Sequence, residues 1–210
     1  IEMKNFSVYE ALASMLDNGE IGLVGLAKFF RKEADEELKH ASDFINYQNK
    51  RGGKVYAQIL GGQYMCDGIH MTQPQSCQMA ITMEQTLKDA NVSKKDIGYV
   101  NAHATGTKVG DYEEAKAINS VFGARNVPVS SLKGHLGHSL SACGAIEIIS
   151  IIEMMKNKML IGNRNVTEVL DGFPGIDILK SNKQLELSYA ISNNFAFGGM
   201  NTSLVLKNLM

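Results

Sequence analysis

Two blocks of the sequence hold the residues best suited to chemistry: Val100 to Thr107, reading VNAHATGT, and Ser130 to Ala145, reading SSLKGHLGHSLSACGA. Each follows a short apolar run that reads as a buried strand, Ile97 to Ala102 before His103 and Val127 to Ser131 before Lys133 and His138. Strand ends are where α/β folds put their reacting groups. An imidazole donates a hydrogen bond or takes a proton according to its tautomer. Two of them converging on one carbonyl oxygen form an oxyanion hole for an enolate or a tetrahedral oxygen, so the constellation suits carbonyl and carboxylate chemistry. Lys133 is a candidate to orient one of the two. Gly134, Gly137 and Gly144 permit a tight backbone around His138 and lead into an apolar helix expected over Ala145 to Met155, whose positive N-terminal end would lie close by. A lone histidine in such a place is more often a satisfied polar group under a loop. Two blocks, each with Thr or Gly neighbours, favour a site.

The elements that must position these residues belong to a chain of 210 residues, enough for one large or two small domains. Hydrophobic residues make up 44%, yet no run reaches the ~18 apolar residues of a membrane span, so a soluble globular chain is expected. A net charge of −1 gives no electrostatic reason to propose nucleic acid or an anionic membrane. Cys66, Cys77 and Cys143 are odd in number and widely spaced, which suits reduced thiols in the cytoplasm or a plastid or mitochondrial interior. They form no CxxC pair, so zinc is not expected. The start, IEMKNFSVYEAL, has neither a basic opening nor an initiator methionine, and the chain is expected to begin inside a larger gene product.

The pattern changes character near Arg51-Gly52-Gly53. Before it, Phe6 to Leu16 is an apolar-faced helical stretch, Asp17-Asn18-Gly19 is a turn, and Glu20 to Asn49 reads as a long amphipathic helix. After it, β-rich runs such as Lys54 to Leu60 and Ile97 to Ala102 alternate with helical ones such as Cys77 to Ala90 and Tyr112 to Phe122.

The second part, residues 54–210, resembles the C-terminal half of a β-ketoacyl-acyl-carrier-protein synthase, a thiolase-fold condensing enzyme. The resemblance is carried by KVYAQILGG, YVNAHATGTKVGDYEEA, SSLKGHLGHSLSACGAIE and SNNFAFGGMNTSLVL, in the family's order and spacing. It implies an α/β fold, a thiolase-like half layered α/β/α with a mixed sheet. It also implies that His103 and His138 are the active-site histidines, which stabilise the enolate formed when malonyl-carrier protein loses carbon dioxide. By the same resemblance Lys133 is the site lysine and Glu114 the acidic residue that pairs with this network. Thr105 and Thr107 would hydrogen-bond the phosphopantetheine arm, and Phe197 would be the aromatic gate beside the acyl pocket, in a turn that Gly198 and Gly199 allow. His135 is set aside because the family's spacing, five residues after the lysine, selects His138.

The implied activity is decarboxylative Claisen condensation in fatty-acid or polyketide synthesis. The implied partners are an acyl-carrier protein, which brings the phosphopantetheine, and either a second copy or a complementary synthase lobe; condensation itself needs no cofactor. One departure matters. The family's nucleophilic cysteine lies in the N-terminal half at the start of a buried helix, and no cysteine here matches it. Cys143 reads as small core packing, and Cys66 and Cys77 as residues of a surface-loop context between strand and helix. Without the thiolate, covalent acyl transfer does not proceed.

The first 53 residues resemble the first and second helices of ferritin, through GLAKFF, EELKHA and YQNKRGG, which implies an α-helical hairpin ahead of the thiolase-like domain. Glu37 and His40, at i and i+3, share one helix face, and a carboxylate with an imidazole is the ligand set of a di-iron site in a four-helix bundle. Glu2 and Tyr9 match the first-helix ligand and its nearby tyrosine. Glu2, Glu37 and His40 would then hold iron as half a site. The alternatives to a condensing lobe are therefore a ferritin-like iron-binding chain and a catalytically inactive structural subunit, and both a natural fusion and a chimera of two fragments fit the join.

Overall fold

A computed structural model of the chain describes residues 28, 29, 31–33, 35, 36, 39, 43, 52–66, 74–123, 127–169, 173–196 and 198–210. The chain divides into two units, Ile1–Lys54 and Val55–Met210. In the first, the described residues between 28 and 43 are helical, with Lys32 and Glu36 paired one turn apart at 3.6 Å.

In the second unit the elements run β1 (Ala57–Cys66), α1 (Ser76–Asp89), β2 (Tyr99–Asn101), α2 (Lys108–Phe122), β3 (Pro128–Ser130) and the single turn α3 (Lys133–Leu136). A 3₁₀ turn (Leu140–Ala142) leads into α4 (Cys143–Asn157), followed by β4 (Met159–Leu160), β5 (Asp177–Ile178), β6 (Lys183–Gln184), β7 (Tyr189–Ala196) and β8 (Met200–Asn208). Six strands form one mixed sheet in the order β1-β8-β7-β2-β3-β5, antiparallel across the first two junctions and parallel across the rest. β4 and β6 pair separately.

Strand alternation sorts the side chains into two cores. Val100, Ile191 and Val205 point to one face, where they pack with Met79, Met83 and Leu87 of α1 and Ile118, Val121 and Phe122 of α2. Their chain neighbours Tyr99, Ala190 and Leu206 point to the other, against Ile151, Met154 and Met155 of α4. This period of two, buried on both sides, is what makes the central strands continuously apolar and the unit a three-layer α/β/α sandwich.

Two boundaries differ from the sequence expectation. β1 runs on to Cys66 because Gly61 and Gly62 are not a turn: the register shifts between Ile59 and Gly61. A Cβ at Gly61 would stand 2.5 Å from the Ala90 backbone nitrogen, so Gly61 admits α1 to the strand, while one at Gly62 would meet the Leu204 side chain of β8. Cys66 therefore ends a strand and Cys77 lies in the first turn of α1, both exposed, rather than in a loop between them. α2 begins four residues before Tyr112, at Lys108, with Gly110 inside it against the Thr107 side chain.

Candidate active site

β2 delivers His103. Past Asn101 the chain stays on the sheet for one more bond, Ala102 N–H to the Ser130 carbonyl at 2.9 Å, and then turns. Ala104 adopts φ of 26°, which a residue with a Cβ rarely takes, and the Glu114 carboxylate of α2 holds it there. One carboxylate oxygen accepts the His103 N–H and the other the Ala104 N–H, each at 2.8 Å. Asp111, one turn earlier, accepts the Gly106 N–H at 3.2 Å. Two carboxylates thus fold the loop onto the start of α2. The hydroxyls of Thr105 and Thr107, 3.3 Å apart, are exposed beyond it.

β3 delivers the second group through α3. The Lys133 ammonium lies 2.6 Å from Glu147 Oε1, with the two side chains only 6% and 2% exposed. The same oxygen accepts the Cys143 thiol at 3.2 Å, and Oε2 accepts the Asn194 amide of β7 at 3.0 Å. A buried ion pair survives desolvation when further hydrogen bonds satisfy it, as here. His138 follows five residues after Lys133, in an exposed stretch. Its Nδ1 accepts the Leu140 N–H at 3.1 Å, which assigns the ring proton to Nε2 and makes that nitrogen the donor.

The two imidazoles meet. Their centroids are 5.4 Å apart with the rings at 83°, and Phe195 lies edge-on to His103 at 6.4 Å. His103 Nδ1 is buried and has no hydrogen-bond partner among the described residues. Burial, and then the nearby Lys133 and His138 charges, hold His103 down to about 4 against a hydrogen bond with Asn194 that acts the other way. The ring is therefore neutral at pH 7. Glu114 is pushed up to about 7, burial outweighing its two backbone donors.

His135 turns elsewhere, its Nε2 standing 2.9 Å from the Gly162 carbonyl. Gly198 and Gly199 have φ of 80° and 74°, the left-handed region that a glycine enters without strain, and the Cys66 thiol donates to the Gly198 carbonyl at 3.4 Å. Phe197, Glu2, Tyr9, Glu37 and His40 lie outside the described residues. Among the described residues no three His, Cys, Asp or Glu side chains group as metal ligands. A cavity of about 260 Å³ is lined by Glu114, Ala115, Ile118, Phe173 and Ile178 and not by either histidine.

Two residues of the site were missed from sequence. Lys133 pairs with Glu147, and Glu114 joins the network by accepting the His103 and Ala104 backbone N–H groups. The available signal was Glu147 itself, a carboxylate set between Ile146 and Ile148 in a largely apolar helix. Asn194 had none, being one of two adjacent asparagines on a strand.

Comparison with known proteins follows the same residues. The model of the beta-ketoacyl synthase C-terminal domain matches residues 56–167, just over half of the chain. The chain belongs to the beta-ketoacyl synthase family. It is 36% identical over 174 residues to the chloroplastic 3-oxoacyl-[acyl-carrier-protein] synthase II of Arabidopsis thaliana, covering 81% of this chain and 31% of that protein. It is 33% identical over 174 residues to 3-oxoacyl-[acyl-carrier-protein] synthase 1 of Escherichia coli K12, covering 83% and 40%. A beta-ketoacyl synthase of Burkholderia phymatum superposes with a TM-score of 0.74 at 41% identity, over 79% of this chain and 40% of that one. A ketosynthase in complex with its type II polyketide acyl-carrier protein superposes at 0.71 with 26% identity, over 79% and 41%. The chain therefore spans about a third to two fifths of the length of these family members. The family fold is the mixed-sheet α/β/α half described above, and no described helix is long and apolar enough to cross a membrane.

Proposed function

We propose that this chain supplies the two-histidine lobe for decarboxylative Claisen condensation of an acyl group with a malonyl group carried on an acyl-carrier protein, in fatty-acid or polyketide synthesis. The observation that carries it is the pair of imidazoles, 5.4 Å apart, brought together from the ends of adjacent parallel strands. The family relatives named for 3-oxoacyl-carrier-protein synthesis support the substrate class.

In the proposed reaction the malonyl thioester oxygen lies between the rings. As the free carboxylate leaves as carbon dioxide, its bonding pair passes into the enolate, and the two N–H groups receive the charge that develops on oxygen. The pair returns through carbon to the acyl thioester of a cysteine, forming the carbon–carbon bond and expelling that cysteine as thiolate. His103, neutral at pH 7, has a single N–H, and the proposed step requires that proton to face the substrate oxygen rather than Asn194. The exposed hydroxyls of Thr105 and Thr107 suit the amide groups of the carrier's phosphopantetheine arm, which comes with the substrate.

None of the three cysteines fits the nucleophile. Cys143 is buried with its thiol committed to Glu147, and both burial and that carboxylate push its ionisation up. The thiolate comes from a cysteine-bearing lobe, docked over this end of the unit, where Leu136, Leu140 and Ile149 are 59%, 72% and 62% exposed. A chain with these residues uncovered associates with that lobe or with a second copy instead of remaining a free monomer.

The test mixes the chain with a cysteine-bearing synthase lobe, acyl-carrier protein loaded with acyl and malonyl groups, and mass spectrometry of the product. Expected is 3-oxoacyl product from the assembly and no acylation of Cys66, Cys77 or Cys143 in the chain alone. Stable, specific acylation of one of the three would overturn the assignment of the nucleophile. Absence of product from an assembly shown to form would leave the inactive structural subunit, and iron bound under those conditions the ferritin-like reading. Glu37→Ala and His40→Ala should leave condensation unchanged.

A further inference from the structure

The Glu147 carboxylate gathers three donors from three elements: Lys133 Nζ of α3 at 2.6 Å, Cys143 Sγ of α4 at 3.2 Å and Asn194 Nδ2 of β7 at 3.0 Å. Two of the three lead directly to His103, Lys133 through its charge and Asn194 through a hydrogen bond. The third does not reach a histidine. Cys143 is 4% exposed and sits one helical turn before Glu147, so its thiol hydrogen falls on the same oxygen as the ammonium. A residue that only filled space at this position would need no donor.

We infer that Cys143 is a positioning residue of the histidine site: its thiol fixes the Glu147 carboxylate so that Lys133 and Asn194 are presented to His103. This rests on the reading of His103 as one of the reacting pair. The charged and titratable groups facing His103 are Lys133 of α3, His138 beyond it and Glu114 of α2, the last through the backbone. Glu147 acts on the ring only through Lys133 and Asn194. Without the thiol, Oε1 keeps a single donor, and the carboxylate turns about its own axis, taking the ammonium with it. The uncovered negative charge and the displaced positive one act in the same direction, favouring protonation of His103. A thiol is the suitable group here because it stays neutral beside the ion pair, whereas a carboxylic acid or an amine would add a second buried charge.

The experiment is a histidine-detected NMR titration of the ¹⁵N-labelled full chain, with Cys143→Ala and Cys143→Ser beside the parent. At pH 5 about a tenth of His103 should be protonated in the parent, rising to about a quarter or more in Cys143→Ala. Cys143→Ser, whose hydroxyl donates to the same oxygen, should return the fraction to the parent value. An unchanged fraction in Cys143→Ala overturns the inference, as does a Ser variant that behaves like the Ala variant, since both would make the thiol mere packing. The titration needs no condensation, so a chain that shows this pattern but yields no product with a cysteine-bearing lobe contradicts the proposed reaction and not the positioning role.

Discussion

The two histidine segments are built in opposite ways. His103 is held by its own chain: Glu114 grips its backbone and the next, Asp111 closes the loop, and the ring is half-buried beside Phe195. His138 stands in a run, residues 134–142, that is exposed throughout, with Lys133 the one deeply anchored side chain at its start. One donor is organised within this chain, and the other is organised only as far as Lys133 reaches. For the proposed reaction, a site divided this way would be half finished in the isolated chain, because oxyanion stabilisation depends on donors that do not have to be moved at the moment of reaction.

Removing the anchor of the second segment should have the largest effect. Glu147→Ala leaves the Lys133 ammonium buried and unpaired, which costs about 3–5 kcal/mol by the behaviour of broken buried pairs. Denaturant unfolding should show this, and a loss within experimental error would mean that Lys133 escapes to solvent and anchors nothing.

The first segment is sharpened by pH, because its two groups pull stability in opposite directions. His103, held near 4 against an ordinary 6.5, stays neutral while the unfolded chain takes up a proton, so it removes stability as pH falls from about 6.5 to about 4. Glu114, held near 7 against an ordinary 4.5, keeps its proton in the folded chain and removes stability as pH rises from about 4.5 to about 7. The two slopes offset one another in the shared window. Glu114→Gln should unmask the histidine, so that Tm climbs with pH between about 4.5 and 6.5 whatever its absolute level; a profile parallel to that of the parent chain would refute the assignment.

The smallest effect tests the neighbour that was set aside. His135→Ala loses one part-buried bond to the Gly162 carbonyl, and should cost about 0.5–1.5 kcal/mol in thermal or chemical unfolding with no change in the His103 titration. A larger loss would make His135 part of the anchor.

Much of this architecture was legible from residue types. The apolar runs at Ile97 and Val127 became central strands because both of their faces are covered by helices, whereas His138, which meets His103, was chosen over His135 only by the spacing of the family it resembles. What failed to show was contact across sequence distance. Gly61 and Gly62 look like a turn in any window, and only the approach of Ala90 and Leu204 explains them as strand. Glu147 was not singled out, although α4 lays it over Lys133, while Glu114 grips the backbone at His103 and Ala104.

The division of the site is tested most directly by condensation in an assembly with a cysteine-bearing lobe, comparing His103→Ala, His138→Ala and His135→Ala at equal folded concentration. Each of the first two should lower the rate by about 10²–10³, the usual effect of removing one oxyanion donor, and the third by no more than a few-fold. An essential His135 with a dispensable His138 would contradict the pairing of His103 with His138 and require a different second donor.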